Sequence, residues 1–391
     1  MKYNFSTIID RSNTSAIKLE RLSSIFGNAQ ALSMWVADMD FATPPFIINR
    51  LKQRLDHPIL GYTDADNEYN NAIVGWLSNR HGWEVQPSWL SFAPGIVAGL
   101  NHAVQAYTQP DEKVLVQTPV YHPFFYAINN NGRELVKSPL TYNKNFYSIN
   151  FYALEEEMKK GVKLFILCNP HNPVGRVWTR DELTKMAEIC LKYDVTVISD
   201  EIHADLIFKP HKHISFASLS PQIAEKTITF GSASKTFNIA GLTSAYVVIS
   251  NPDMLKTYNR QVELNGTGHG NIMGYEALKA AYSSDGQIWL DQVLEYIGEN
   301  IKLVKEYLGA NIPKLTMVDP EGTYLLWLDF RAFGVDQPEL IRMLTRDAGI
   351  ALNDGQMFGS DGTGFFRMNV ATPKSNVQEA LERLKKVFGS L

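Results

Sequence analysis

The stretch Ser232-Ala-Ser-Lys-Thr-Phe-Asn-Ile-Ala-Gly-Leu242 sets one lysine among small hydroxylated residues, directly after the short apolar strand Thr227-Ile-Thr-Phe230 and the turn Gly231-Ser232. A lysine in that setting presents its amine to a carbonyl group with which it can condense. The Ser232 hydroxyl beside it lies within reach of a phosphate. Alone, the S-x-x-K string reads equally well as a helix start with a surface lysine, and it also opens serine acylases of the penicillin-binding type. The segments around it decide between these readings.

Upstream, Val195-Thr-Val-Ile-Ser-Asp200 has the β-branched character of a buried parallel strand and ends in a carboxylate. A carboxylate at a strand's carboxyl end points into the ligand crevice of an open α/β sheet. There Asp200 can pair with the protonated nitrogen of a pyridine ring and keep that ring an electron acceptor, as pyridoxal phosphate chemistry requires. Lys163-Leu-Phe-Ile-Leu-Cys168 is a second apolar strand, and it empties into the turn Asn169-Pro-His-Asn-Pro-Val-Gly175. Asn172 in that turn can donate to the ring's phenolic oxygen. The strand around Trp89-Leu-Ser-Phe92 leads to Ala93-Pro-Gly-Ile-Val97, where Gly95 opens a helix and the first amides, at Gly95, Ile96 and Val97, form a phosphate site. Tyr121 follows the strand Lys113-Val-Leu-Val-Gln117 and Pro119, placed to lay its ring on the pyridine face.

With these residues in order, the whole chain resembles a fold-type I pyridoxal phosphate enzyme of the class I/II aminotransferase superfamily. Within it, the chain is similar to the MalY/PatB branch of cystathionine β-lyases. The narrower resemblance rests on Met34-Trp-Val-Ala-Asp-Met-Asp-Phe41 followed by Pro44-Pro45, on His57-Pro-Ile-Leu-Gly-Tyr-Thr63, on Ser199-Asp-Glu-Ile-His203, on Ser232 to Gly241, and on Glu321-Gly-Thr-Tyr-Leu-Leu-Trp-Leu-Asp-Phe330. It implies pyridoxal 5'-phosphate held on Lys235, with Lys235 also the catalytic base, and a homodimer in which Tyr62 reaches the neighbouring subunit's site. It further implies that Arg367, inside the alternating strand Phe365-Phe-Arg-Met-Asn-Val370, clamps the α-carboxylate of an amino-acid substrate, helped by Asn172 and the Ala37 backbone. The bland alternative for Arg367 is a buried structural ion pair. A thiol-side pocket is expected from Tyr121, Trp35 and residues near Thr267-Gly-His269 across the dimer.

Two departures from the wider aminotransferase pattern stand out. Thr243 occupies the position where many relatives place an arginine on the phosphate, which leaves the Gly95–Val97 amides, Ser232, Ser234 and the partner's Tyr62 to hold that group. His203 stands where many carry tyrosine; the alternative to a cofactor contact is a histidine on a helix face, satisfied by a backbone group.

At 391 residues with a formal net charge of -4, the chain is long enough for two domains and shows no basic footprint for nucleic acid. No uncharged run reaches the ~20 residues that span a bilayer, so the expectation is a cytoplasmic enzyme. The two cysteines, Cys168 and Cys190, make no disulfide framework and lack metal-ligand spacing; Cys168 reads as a buried apolar thiol. Residues 1–45 read as an extended lead that the resemblance wraps over the site mouth. Residues 46–285 alternate strands with helices such as Arg180–Leu191, giving a mostly parallel sheet with helices on both faces, the α/β cofactor domain. Residues 286–391 form a smaller C-terminal α+β domain, with a long helix over 289–308, the strand 322–330 and a helix from Gln337.

Three functions follow from this reading. The branch motifs imply a β-lyase that expels a thiol from Cβ of cystathionine or a related S-substituted cysteine; the shared site residues would equally serve an aminotransferase. A cofactor-binding regulatory protein with vestigial activity is the third, opposed by the retained set Asn172, Asp200, Lys235 and Arg367. The acylase reading fails because no Lys-Thr-Gly follows Lys235.

Overall fold

The computed structural model describes residues 2–391. Seven strands build the main sheet: β1 Leu90–Ala93, β2 Lys113–Val116, β3 Glu134–Lys137, β4 Val162–Cys168, β5 Thr196–Asp200, β6 Thr227–Gly231 and β7 Ala245–Val248. Their order across the sheet is β1-β7-β6-β5-β4-β2-β3. Neighbours from β6 through β3 pair in parallel, while β7 runs antiparallel to both β6 and β1. Six of the seven strands therefore end at one edge, and the segments bearing Gly95, Tyr121, Asn172, Asp200 and Lys235 all leave from that edge.

Both faces of the sheet are covered, which is why its strands read as apolar runs. Leu164, Ile166, Ile198, Ile228 and Phe230 pack on one side with Leu100, Ala103 and Val104 of α1 (Ile96–Tyr107). Phe165, Leu167 and Val197 pack on the other with Leu183, Met186 and Cys190 of α2 (Arg180–Lys192). Helix α2 begins at a capping box, Thr179 accepting from the Glu182 N–H while the Glu182 carboxylate accepts from the Thr179 N–H. Such a cap contributes about 1 kcal/mol. Gly99 lets α1 lie directly on β6, since a Cβ there would sit 2.4 Å from a ring carbon of Phe230.

A second, antiparallel sheet comprises β8 Thr316–Met317, β9 Leu325–Asp329, β10 Asn353–Asp354 and β11 Phe365–Asn369, in the order β8-β9-β11-β10. It packs with α3 (Ser284–Asn311) and α4 (Lys374–Phe388) in one apolar cluster. Helix α3 starts five residues before the expected Trp289, because Ser283 is its N-cap and accepts from the Gly286 N–H. The strand expected over 322–330 is shorter, 325–329, with Gly322 held instead in a bridge to Ile207.

The leading segment is not uniformly extended: it contains the short helices Ile17–Glu20 and Leu22–Phe26. Beyond them it runs along the second sheet. Leu32–Ser33 pairs with Ile350–Ala351, and the Asn369 amide donates to the carbonyls of Val36 and Asp38. Arg367 and Asn369 lie two apart on β11 and so share a face, which brings the 35–38 segment beside Arg367. No helix among the described residues is long and apolar enough to cross a membrane.

Candidate active site

The carboxyl edge of the main sheet opens into a cavity of about 230 Å³ whose wall includes Ala37, Gly95, Tyr121, Asn172, Asp200 and Lys235. Ile96, Val97, His203, Ser234 and Thr243 line it too. Gly95 adopts φ +117, a conformation that L side chains rarely take, and it is the N-cap of α1. The residues of that helix start, from Pro94 to Ala98, line the cavity on one side. A larger open cleft of about 470 Å³ lies between residues 60–63 and 269–273, but it carries no carboxylate, lysine or arginine. The chemistry belongs to the Lys235 cavity.

Several charged or titratable groups in the cavity wall and beside it are displaced from their ordinary behaviour. Burial pushes the Asp200 carboxyl up to about 7, against the Ile202 N–H that donates to Oδ1 at 3.2 Å. Among the described residues no cation is bonded to it. Lys235 Nζ donates to the Ala37 carbonyl at 2.8 Å, and burial with the nearby Arg367 charge lowers its amine to about 8. Burial, reinforced by Lys235 and Arg367, drives His203 down to about 3, so its ring is neutral. Arg367 is buried, donating to Asn172 Oδ1 at 3.1 Å, to the Trp35 carbonyl at 3.1 Å and to Asn353 Oδ1 at 2.7 Å. Its Nε has no partner and no carboxylate pairs with it among the described residues.

This pattern fits the expected cofactor and substrate. Asp200 lacks the cation that would keep it ionised, and a ring nitrogen that carries a proton supplies one. Arg367 has spare donors and a full charge with no counter-ion, which excludes the structural ion pair as its explanation. The Ala37 N–H has no hydrogen-bond partner among the described residues, while its carbonyl accepts from Lys235 and the Tyr324 hydroxyl.

Other expected positions differ. Ser232 does not line the cavity: its hydroxyl donates to the Ser244 carbonyl at 2.7 Å and accepts from the Ser234 N–H, acting as the N-cap of the helix Ala233–Thr236. His203 lies on a turn, not on a helix face, and its Nδ1 has no partner, which removes the backbone-satisfied alternative. The Trp35 side chain lines a separate apolar cavity of about 210 Å³ and donates to the Lys18 carbonyl, so within one chain it does not form a thiol-side wall. Tyr62 is fully exposed and lies outside the Lys235 cavity of its own chain, its ring 6.0 Å from that of His269. Cys168 is a cavity-lining thiol that burial pushes up, hence protonated and inert. Asn353, Tyr324 and Phe358, whose ring lies 4.9 Å from the Arg367 guanidinium, carry no sequence signal that singles them out.

The family described as aminotransferase class I and II matches residues 31–384. The chain belongs to that family. The chain is 43% identical to the cystathionine beta-lyase PatB of Bacillus subtilis (strain 168), over 98% of this chain and 99% of that one. Two solved structures are similar throughout. Cystalysin from Treponema denticola, which contains a pyridoxal 5'-phosphate cofactor, superposes with a TM-score of 0.96 at 39% identity, covering 99% of each chain. The pyridoxal-phosphate-bound C–S lyase from Staphylococcus hominis gives 0.93 at 35% identity, covering 99% of this chain and 98% of that one. The fold-type I reading, with its mostly parallel sheet, is borne out.

Proposed function

We propose that this chain is a pyridoxal-phosphate-dependent carbon–sulfur β-lyase, cleaving cystathionine or a related S-substituted cysteine to a thiol, pyruvate and ammonia. The observation that carries this is the full-length likeness to a cystathionine beta-lyase together with Lys235 and Asp200 in one cavity and an Arg367 without a counter-ion hydrogen-bonded to the cavity-lining Asn172.

When bound, pyridoxal phosphate supplies a sink for the electron pair left at Cα as its proton departs. The remaining work falls to the chain. The Arg367 guanidinium grips the substrate α-carboxylate, with Asn172 and the Ala37 N–H beside it, and this fixes which bonds at Cα face Lys235. Lys235 Nζ, whose basicity burial has lowered toward neutrality, takes the α-proton. Asp200 would hold a proton on the ring nitrogen, Asn172 would donate to the phenolic oxygen, and Tyr121 would cover the ring. The amides at Gly95–Val97, with Ser234, would hold the phosphate. Ser232 acts on this site only by capping the helix that carries Lys235.

Lyase and aminotransferase share these residues, so the products decide between them. With cystathionine, pyruvate and ammonia are expected with a kcat/KM at least ~10-fold above any transamination of alanine with 2-oxoglutarate, a preference of about 1.4 kcal/mol. Glutamate formed in step with 2-oxoglutarate consumption, with no pyruvate from the thio substrate, overturns the lyase in favour of an aminotransferase.

We read residues 1–45 as the lead, 46–285 as the cofactor domain and 286–391 as the small domain, supported by the two separate sheets. We further infer a homodimer with shared sites. Tyr62 sits on a loop with Ile59 and Leu60 also exposed, at 66% and 59%, an apolar surface of the kind a partner covers. Mixing inactive Tyr62→Phe and inactive Lys235→Ala subunits is then expected to restore activity, one intact site arising in each hybrid dimer. A fully active monomer in sedimentation at micromolar concentration excludes the shared site.

A further inference from the structure

Asp205 is a buried carboxylate that the mechanism above leaves unused. It closes the turn after Asp200 and accepts three side-chain hydrogen bonds. Trp76 Nε1 donates to Oδ1 at 2.9 Å, His81 Nε2 lies 3.0 Å from the same oxygen, and Thr236 Oγ1 donates to Oδ2 at 2.9 Å. The first two partners come from the helix Asn67–His81; the third is the residue that follows Lys235. Burial alone would push this carboxyl up, yet the His81 bond and charge, the Arg80 charge and the Trp76 bond hold it below the usual range, so it is an anion.

The helix that carries Lys235 spans only Ala233–Thr236. One turn of helix has no stability of its own, so its place and rotation depend on what its ends are tied to. At its start Ser232 is tied to the Ser244 carbonyl on the way into β7. At its end the tie is the fully buried Thr236 hydroxyl on Asp205. The turn that Asp205 closes follows directly on Asp200 at the end of β5 and carries His203, and it is itself anchored where the Leu206 carbonyl accepts from the Thr323 N–H.

We propose that Asp205 is a positioning residue: through the Thr236 hydroxyl it fixes the helix bearing Lys235 against the turn that follows Asp200. The two reacting-side groups are far apart in sequence and sit on different strands' ends, and Asp205–Thr236 is the side-chain bond that joins their carriers directly. A charge-assisted bond between two buried groups is well suited to this, being short, directional and costly to leave unmade. The inference rests on Lys235 being the cofactor-bearing lysine.

The test uses the holoenzyme and Thr236→Val, which keeps the side-chain shape, removes the hydroxyl and leaves Asp205 its two other donors. The expected result is a kcat lower by roughly 10-fold to 100-fold, the size of effect that a misplaced reacting group produces. KM should stay within about threefold, since Arg367 is untouched. The pH midpoint at which the visible cofactor band changes should also move, a property that a merely looser fold would leave in place. Thr236→Ser, which restores the hydroxyl, should return both quantities to near wild type. Wild-type kcat and midpoint in Thr236→Val overturn the proposal, as does Thr236→Ser no better than Thr236→Val. Borohydride labelling separates this from the parent reading: cofactor fixed on another lysine removes both, whereas cofactor on Lys235 with an unaffected Thr236→Val removes this inference alone.

Discussion

Lys235→Ala is expected to lose turnover by at least ~10⁴-fold, about 5.4 kcal/mol of barrier, because one side chain supplies both the covalent hold and the base. Its surroundings show why no neighbour can substitute. Among the other groups lining the cavity, His203 is a neutral ring whose basicity burial has all but removed, Cys168 is held protonated, and Tyr121 is pushed above its ordinary range first by burial. Only Lys235 combines an amine near 8 with a carbonyl partner, Ala37, that orients it across the cavity. Purified wild-type protein should be yellow, and borohydride should fix the cofactor to Lys235; the alanine variant should hold it loosely and unreduced. A main borohydride label on any other lysine sinks the assignment.

Most of the residues that the sequence places at the cavity share one property: each lies at or just beyond the carboxyl end of a strand that announces itself. Asp200 follows three residues, Val197 to Ser199, buried on a two-sided sheet, Asn172 sits in a proline-studded turn after β4, and Gly95 precedes a helix start. Such positions are fixed by chain direction alone, since parallel strands deliver their ends to one edge. Arg367 was legible for another reason, as a charge where the strand pattern demands an apolar residue. What the sequence did not disclose depends on side chains meeting across the fold. The Ser232 hydroxyl could have turned toward a phosphate or toward the Ser244 carbonyl, and only the approach of the segment before β7 decides it. Trp35 sits in a motif that marks the branch, yet its indole turns to the leading segment's own Lys18 carbonyl. Asp205, His81 and Thr236 gather from three elements with no spacing rule to connect them, which is why a buried anion beside the reacting lysine leaves no trace in a linear reading.

Asp200→Asn is expected to cost on the order of 10³-fold or more in kcat, with a smaller loss of cofactor affinity, because the amide keeps the shape and removes the charge that holds a proton on the ring nitrogen. More than about a tenth of wild-type activity in this variant refutes the role. The protein without cofactor offers an independent check with the opposite sign. There the folded state holds the Asp200 carboxyl near 7 by burial, well above the ~3.9 of an exposed aspartate in the unfolded chain. A carboxyl raised on folding contributes its full stability below about pH 4 and loses it as pH climbs through 7. Above pH 7 the cofactor-free wild type must carry a buried, unpaired anion, a burden that asparagine does not impose. Cofactor-free Asp200→Asn should therefore unfold at a higher temperature than the cofactor-free wild type at pH 8, with the gap closing as pH falls toward 4. With cofactor bound the order should reverse, since only the carboxylate meets a cationic ring. A cofactor-free variant that is less stable than wild type at pH 8 would show that the Ile202 N–H alone stabilises the Asp200 anion enough, and that this residue's place at the end of β5 serves the fold before it serves the reaction.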